Sequence, residues 1–152
     1  MKLGDDKSVG YWAHRVGTAF KRMVDAQARE IGLAGPEAIL IHMLDHCGSS
    51  SLVELSRKLG HAHPSVLRHI DSLEESGFVE RIPHAEDRRI KVVRLTNRGN
   101  EAIPKVNALV ARVHQQAMEG LDQREIELLL GILRQIEANI GSEWVNDECV
   151  GH

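Results

Sequence analysis

The spacing of apolar residues predicts a chain made mostly of amphipathic helices. From Val9 to Ile31, apolar side chains recur every three or four positions, which is the period of one helix face. The same period, with glycine or proline near the ends, predicts five more helices, over 36–47, 51–59, 64–76, 96–119 and 122–140. Residues 79–82 and 90–95 are rich in valine and isoleucine, and they predict the two strands of a hairpin.

Polar residues and a glycine mark several helix ends. Ser51 with Glu54, and Asp122 with Glu125, have the spacing of a capping box, in which each side chain bonds the backbone N–H of the other residue. Gly77 is predicted to end the fourth helix in a left-handed conformation. These signals set the expected start of the third and sixth helices and the expected end of the fourth.

The order of the elements between residues 51 and 96 predicts a winged helix-turn-helix. A four-residue turn from Gly60 to His63 separates a short helix from one that opens with Pro64. The hairpin follows, and its tip, residues 83–89, has the sequence Pro-His-Ala-Glu-Asp-Arg-Arg. In this plan the second helix enters the major groove of duplex DNA, and the hairpin is the wing beside it.

The predicted fold class is mainly α, a winged helix-turn-helix with a two- to three-stranded wing sheet plus N- and C-terminal dimerisation helices. We expect a DNA-binding domain over 35–96, a helical dimerisation region over 1–34 and 97–145, and a flexible tail over 146–152. The first, fifth and sixth helices carry more apolar surface than so small a winged helix covers, which favours a homodimer over a monomeric bundle. A dimer also reads more base pairs than a single recognition helix.

Composition and charge fit a globular protein of one domain. Hydrophobic residues make up 42% of the 152 residues and aromatic residues 3%, so we expect an aliphatic core. The net charge is −3, but residues 57–94 hold eight Lys/Arg against six Asp/Glu, whereas residues 119–152 hold two against eight. The basic end can bind phosphate despite the net charge. Without an apolar leader or a bilayer-length apolar run, the expected location is cytoplasmic, with no membrane partner.

Three motifs resemble the MarR family of bacterial transcription regulators, most closely its SlyA-like branch. They are Pro64-Ser-Val-Leu-Arg-His69, Leu73-Glu-Glu-Ser-Gly-Phe-Val-Glu-Arg81, and Asp87-Arg-Arg89 continuing to Leu95-Thr96. The resemblance implies a homodimer that binds a pseudo-palindromic DNA site and is controlled by a small ligand or by oxidation. We expect a repressor with half-sites roughly 10 base pairs apart. Peroxide-sensing members carry a cysteine near the start of the first helix, where this chain has Tyr11 and Trp12.

The first turns of the fourth helix hold the residues expected to read DNA. With Val66, Leu67, Ile70 and Leu73 placed inward, the outward positions are Pro64, Ser65, Arg68 and His69. The fork of Arg68 suits O6 and N7 of guanine, and Ser65 suits a base edge or a phosphate. In the alternative interpretation, Arg68 pairs with a nearby acid such as Asp71.

Arg88 and Arg89 at the wing tip are also expected to contact DNA, because an arginine there can enter a narrow minor groove. The family resemblance suggests that one of them reaches DNA while Asp87 braces the loop through the other. The sequence leaves open which arginine has which role. Without the preceding helix-turn-helix, the same residues would be interpreted as charged residues exposed to solvent on a hairpin.

The resemblance places an effector pocket between the first, second and fifth helices, above the winged helix. Its expected lining residues are His14, His42 and Arg68, and an aromatic carboxylate bound to Arg68 would withdraw that residue from DNA. Two alternatives stay open for His42 and His46, which are four apart on one helix face: a zinc-sensing site, or hydrogen-bonded histidines without a ligand. We predict no resident metal or cofactor.

An enzymatic function finds no support in the sequence. The chain lacks a phosphate-cradling glycine loop, a Gly-x-Ser-x-Gly nucleophile elbow and a His-Glu-x-x-His zinc motif. A winged helix that binds another protein is a further alternative, and the arginines of the fourth helix and of the wing argue against it.

Overall fold

The structure, a computed structural model, describes residues 8–140, which form six α-helices and three short β-strands. The helices are α1 (Val9–Glu30), α2 (Gly35–Cys47), α3 (Leu52–Leu59), α4 (His63–Glu75), α5 (Asn97–Ala117) and α6 (Gln123–Ile140). The strands are β1 (Ser50–Ser51), β2 (Val79–Pro83) and β3 (Lys91–Leu95). The predicted winged helix-turn-helix fold is confirmed. The predicted tail, 146–152, lies outside the described residues.

Local side-chain bonds fix the helix ends that the sequence predicted. Ser51 Oγ accepts the backbone N–H of Glu54 at 3.3 Å, and a Glu54 carboxylate oxygen accepts the N–H of Ser51 at 2.7 Å. Asp122 and Glu125 form the same reciprocal pair in front of α6. Gly77 follows α4 with a φ of 77°, the left-handed conformation that a glycine adopts without strain.

The wing is part of a three-stranded antiparallel sheet in the order β1-β3-β2. β2 pairs with β3 along its whole length, beginning with Val79 opposite Leu95. β1 consists of the two serines before α3, and Ser50 pairs with Val93. This strand ties the start of the helix-turn-helix to the middle of β3, so the helix-turn-helix and the wing are held in a fixed relation.

An aliphatic core joins α1, α2, α3, α4 and α5 to the sheet. Its largest fully buried apolar side chains are Leu40, Ile41, Leu55, Ile70, Leu73, Leu109, Val66, Val79 and Val106. Full burial of each such side chain stabilises the fold by roughly 1.5–3 kcal/mol. Three of the nine, Val66, Ile70 and Leu73, belong to α4, so this helix is anchored by its inner face.

Leu67 does not belong to this core, although the sequence pattern placed it inward. Leu67 is 40% exposed, whereas Val66, Ile70 and Leu73 are each 1% exposed. The prediction for Leu67 is wrong because those three residues already fill the inner face of α4. Leu67 lies roughly 100° around the helix from Val66, at the edge of that face.

Apolar side chains also remain exposed on α6 and on the N-terminal part of α1. No residue of α6 is buried within the described chain. The exposed large apolar residues of the two helices are Val9, Trp12, Val16, Leu128, Leu129, Leu130, Ile132, Leu133 and Ile140. Exposure on this scale marks an interaction surface. Across residues 8–140, no helix is long and apolar enough to cross a membrane.

Candidate nucleic-acid interface

The first turns of α4 present the predicted DNA-reading residues at the surface. Pro64 stands in the first turn, where its missing N–H costs no helical hydrogen bond. Pro64 and Arg68 are exposed on the side of α4 away from the core, and Ser65 and His69 are partly exposed beside them. An anchored helix that turns an arginine outward near its N-terminus has the geometry of a recognition helix.

Arg81 of β2 clamps the wing to α4. Its guanidinium donates to the carboxylates of Asp71, at 2.5 Å, and Glu74, and its backbone N–H donates to Glu74 at 3.0 Å. Burial alone would lower the pKa of Arg81, but its bonds to these carboxylates raise that pKa above the usual value. Because Asp71 is bound by Arg81, the alternative that pairs Arg68 with Asp71 is wrong. Arg68 has no hydrogen bond or ion pair with any residue of 8–140.

Backbone hydrogen bonds shape the wing tip between β2 and β3. The N–H of His84 donates to the carbonyl of Ile90 at 2.8 Å, and the Asp87 carboxylate accepts the backbone N–H of Arg89 at 3.0 Å. Asp87 therefore braces the loop through the main chain of Arg89, and not through an arginine side chain as the resemblance suggested. Both Arg88 and Arg89 are exposed, and which of them enters the minor groove stays a prediction.

Ion pairs divide the basic residues of this surface into two groups. Arg94 of β3 donates to Glu80 of β2 at 2.8 Å, and Arg81 is neutralised by its two carboxylates. On α4 and the wing, the exposed basic residues with no such partner within residues 8–140 are Arg68, Arg88, Arg89 and Lys91. Unpaired positive charge is therefore present on α4 and around the wing tip, the two segments that a winged helix brings to DNA.

A cavity of about 430 Å³ opens behind the N-terminal half of α4. It lies between α1, α2 and α4, and most of its lining is apolar, with Lys21, Asp25 and Arg68 as charged lining residues. His69 also lines it. Burial, followed by the positive charge of Arg68, lowers the pKa of His69, while the charge of Glu37 acts in the opposite direction. The lowered pKa favours the neutral form of His69, and the cationic lining residues of the cavity are Lys21 and Arg68.

The structure brings only one of the three predicted effector residues to this cavity. Arg68 lines it, whereas His14 is exposed on α1 and His42 lies elsewhere, with Nδ1 2.8 Å from Oδ1 of Asn107. The rings of His42 and His46 are 4.2 Å apart between centroids. Within residues 8–140, no group of three or more His, Cys, Asp or Glu is placed to hold a metal ion. The zinc alternative therefore has no third protein ligand in the described part of the chain.

The roles of Lys21 and Arg81 were not predicted from the sequence, and the predicted position of Leu67 was wrong. Lys21 reaches the cavity only because the fold sets α1 beside α4, and no local pattern signals that contact. A signal did exist for Arg81, since a lone basic residue follows two acids of the preceding helix by seven and ten positions. For Leu67 the sequence also held a signal: the inner face of α4 needs only three apolar residues, and Leu67 is a fourth.

Comparison with known proteins agrees with this architecture. A sequence profile of the MarR family matches residues 31–90. The transcriptional regulator PA3341 is 30% identical, with a TM-score of 0.80 over 88% of this chain and 98% of that chain. A MarR family regulator of Listeria monocytogenes complexed with a 26mer DNA is 19% identical, with a TM-score of 0.82 over 91% and 93% of the two chains. Bordetella bronchiseptica BpsR, whose DNA binding is regulated by 6-hydroxynicotinic acid, is 18% identical, with a TM-score of 0.78 over 90% and 98%.

Proposed function

The chain belongs to the MarR family, whose members are DNA-binding transcription regulators and not enzymes, and we propose that it is a cytoplasmic, homodimeric repressor. It binds a pseudo-palindromic operator, with α4 of each protomer in a major groove and the wing in the flanking minor groove. A small aromatic carboxylate bound in the cavity behind α4 releases it from DNA.

The proposal of DNA binding rests on which arginines of this surface are paired with acids and which are not. Arg81 and Arg94 are neutralised by acids, whereas Arg68, Arg88 and Arg89 are exposed and without an acidic partner in the described chain. Arg68 then offers its fork to a guanine in the major groove, and the wing arginines offer charge to the minor groove. The Listeria regulator, which shares the fold, was crystallised with DNA, and this supports the same use of the fold here.

The exposed apolar residues of α1 and α6 support the homodimer. A two-fold interface built from these helices would cover side chains that the chain itself leaves open, and it would set two copies of α4 in a symmetric pair. A symmetric pair of recognition helices reads an inverted repeat.

Selection of bound duplexes from a random pool tests the proposal, with Arg68→Ala and Arg94→Ala run beside the wild type. We expect the wild type to enrich an inverted repeat whose half-sites are roughly 10 base pairs apart, centre to centre. Arg68→Ala should lose the repeat or relax it at one position per half-site. Arg94→Ala is the matched control, because its arginine is already paired with Glu80, and it should enrich the wild-type repeat.

One result would count against the regulator proposal, and another would count against an organic ligand. If folded wild-type protein enriches no sequence, with or without added zinc, a winged helix that binds protein becomes the better interpretation. If enrichment appears only with zinc, the metal-responsive alternative at His42 and His46 is favoured over control by an organic ligand.

The proposal that the ligand is an aromatic carboxylate rests on the lining of the cavity. Its apolar walls suit a ring, and Lys21 and Arg68 suit a carboxylate, because an arginine fork and a lysine ammonium both bind such a group. A ligand that engages Arg68 from the cavity side competes with the base that engages Arg68 from the groove. BpsR, which shares the fold, responds to 6-hydroxynicotinic acid, an aromatic carboxylate.

Titration of the protein–operator complex with 6-hydroxynicotinic acid, and with its neutral amide, tests the ligand class. The acid should release DNA and the amide should not, because only the acid carries the charge that Lys21 and Arg68 bind. Lys21→Met should lose the response while keeping its affinity for DNA. If His14→Ala or His42→Ala loses the response instead, the effector site lies where the family resemblance placed it and not in this cavity.

A further inference from the structure

Contacts around α4 divide its surface into distinct sides. The inner side is filled by Val66, Ile70 and Leu73, and the cavity side by Ser65 and His69. On the wing side, Arg81 of β2 holds Asp71 and Glu74. The outward side carries Pro64 and Arg68.

Leu67 lies on the wing side of α4, one turn closer to the N-terminus than the Arg81 clamp. It precedes Asp71 by four residues and Glu74 by seven, and these spacings place the three on one stripe of the helix. Neither the core nor the cavity takes up its side chain, since Leu67 is 40% exposed and is not a cavity-lining residue. An apolar side chain is therefore presented between Arg68 and the wing, on the surface assigned to DNA.

We propose that Leu67 reads the C5 methyl group of a thymine in each half-site, beside the base pair read by Arg68. The inference rests on the proposed DNA-binding function and adds a specificity residue to it. In the major groove the thymine methyl is the apolar group that a base edge offers to a leucine, while the other contacts there are hydrogen-bond donors and acceptors. Exclusion of water between the two apolar groups supplies the preference for thymine over cytosine.

Replacement of single thymidines by deoxyuridine in the selected operator tests the contact, because deoxyuridine lacks only the methyl group. At one symmetric position, the substitution should weaken wild-type binding about threefold to fivefold per half-site, as expected for one buried methyl group. Leu67→Ala should bind the thymidine operator weaker by a similar factor. The same variant should also be indifferent to deoxyuridine at that position.

Two further variants separate this contact from a general effect of the substitution. Leu67→Met keeps an apolar side chain and should keep the response to deoxyuridine. Val53→Ala removes methyl groups from an exposed apolar residue of α3, and it should keep the full wild-type response. Far-ultraviolet circular dichroism of each variant checks that the helices are intact.

The outcomes distinguish this inference from the function on which it rests. If Leu67→Ala retains the wild-type response to deoxyuridine, or if the wild type responds at no position, the thymine contact is overturned while DNA binding stands. If the wild type binds no duplex selectively, the regulator proposal and the thymine contact fall together.

Discussion

Arg68 lies on two surfaces at once, because it is exposed on the outer side of α4 and also lines the cavity behind that helix. We expect Arg68→Ala to weaken operator binding about tenfold or more, since a bidentate arginine–guanine pair contributes about 1–3 kcal/mol of discrimination. Arg68→Lys keeps the charge but not the fork, so it should bind random DNA like the wild type and lose most of the preference for the operator. Fluorescence anisotropy at one salt concentration measures both, and equal operator affinities for wild type and Arg68→Ala would contradict the assignment.

His69 should make the stability of the chain depend on pH. Burial and then the charges of Arg68, His61 and Lys21 lower the pKa of His69 in the folded state, and only Glu37 opposes them. The unfolded chain then binds the proton more readily, so the contribution of His69 is complete above the ordinary histidine pKa of about 6.5 and declines as the pH falls below it. Urea denaturation at several pH values should show a steeper decline for the wild type than for His69→Gln. Parallel curves would mean that other groups cause the decline.

The link between β2 and α4 is a prediction at the scale of elements. Arg81→Met should lower the free energy of unfolding by only about 0.5–1 kcal/mol, because its carboxylate partners are partly exposed to solvent. The loss of DNA affinity should be larger than this loss of stability. Without the positive charge of Arg81, the carboxylates of Asp71 and Glu74 would repel the DNA phosphates. Arg94→Met removes a comparable ion pair from the wing and is the control. Asp71→Asn added to Arg81→Met should recover part of the affinity, and no recovery would exclude repulsion as the cause.

Helices whose ends are set by residues close in the sequence could be predicted from the sequence. The two capping boxes and Gly77 act within a few residues, so the positions of α3, α4 and α6 followed from local chemistry. β1 could not be predicted in the same way, because a strand of two serines exists only through its pairing with β3. The error at Leu67 has a similar origin: helical periodicity identifies apolar residues near a face, but neighbouring elements decide which of them the face buries. The cavity residue Lys21 depends in turn on the packing of distant segments.

At the scale of the whole molecule, α4 couples two binding events. The operator and the proposed carboxylate both need Arg68, so each should lower the affinity of the protein for the other by the same factor. Isothermal titration of 6-hydroxynicotinic acid into protein alone, and into the protein–operator complex, gives one side of this cycle. DNA binding with and without the acid gives the other side. A factor of one would show that the operator and the acid do not compete for Arg68.

The exposed apolar surface of α6 gives the last prediction, which concerns the dimer. Leu133 is 47% exposed and no residue of α6 is buried, so an aspartate at this position leaves the core of the chain intact. In a two-fold interface, however, it would place two unpaired charges among apolar side chains, which is strongly unfavourable. Leu133→Asp should therefore sediment as a monomer at concentrations at which the wild type is a dimer, with helical content unchanged. Because operator binding needs two recognition helices at a fixed separation, the variant should lose affinity for the inverted repeat while both proteins bind an isolated half-site equally weakly. Gln135→Asp introduces the same charge at an exposed polar position of α6 and should remain a dimer. If Leu133→Asp stays dimeric, the protomers meet through a different surface, and the separation between the two copies of α4 would have to be set there.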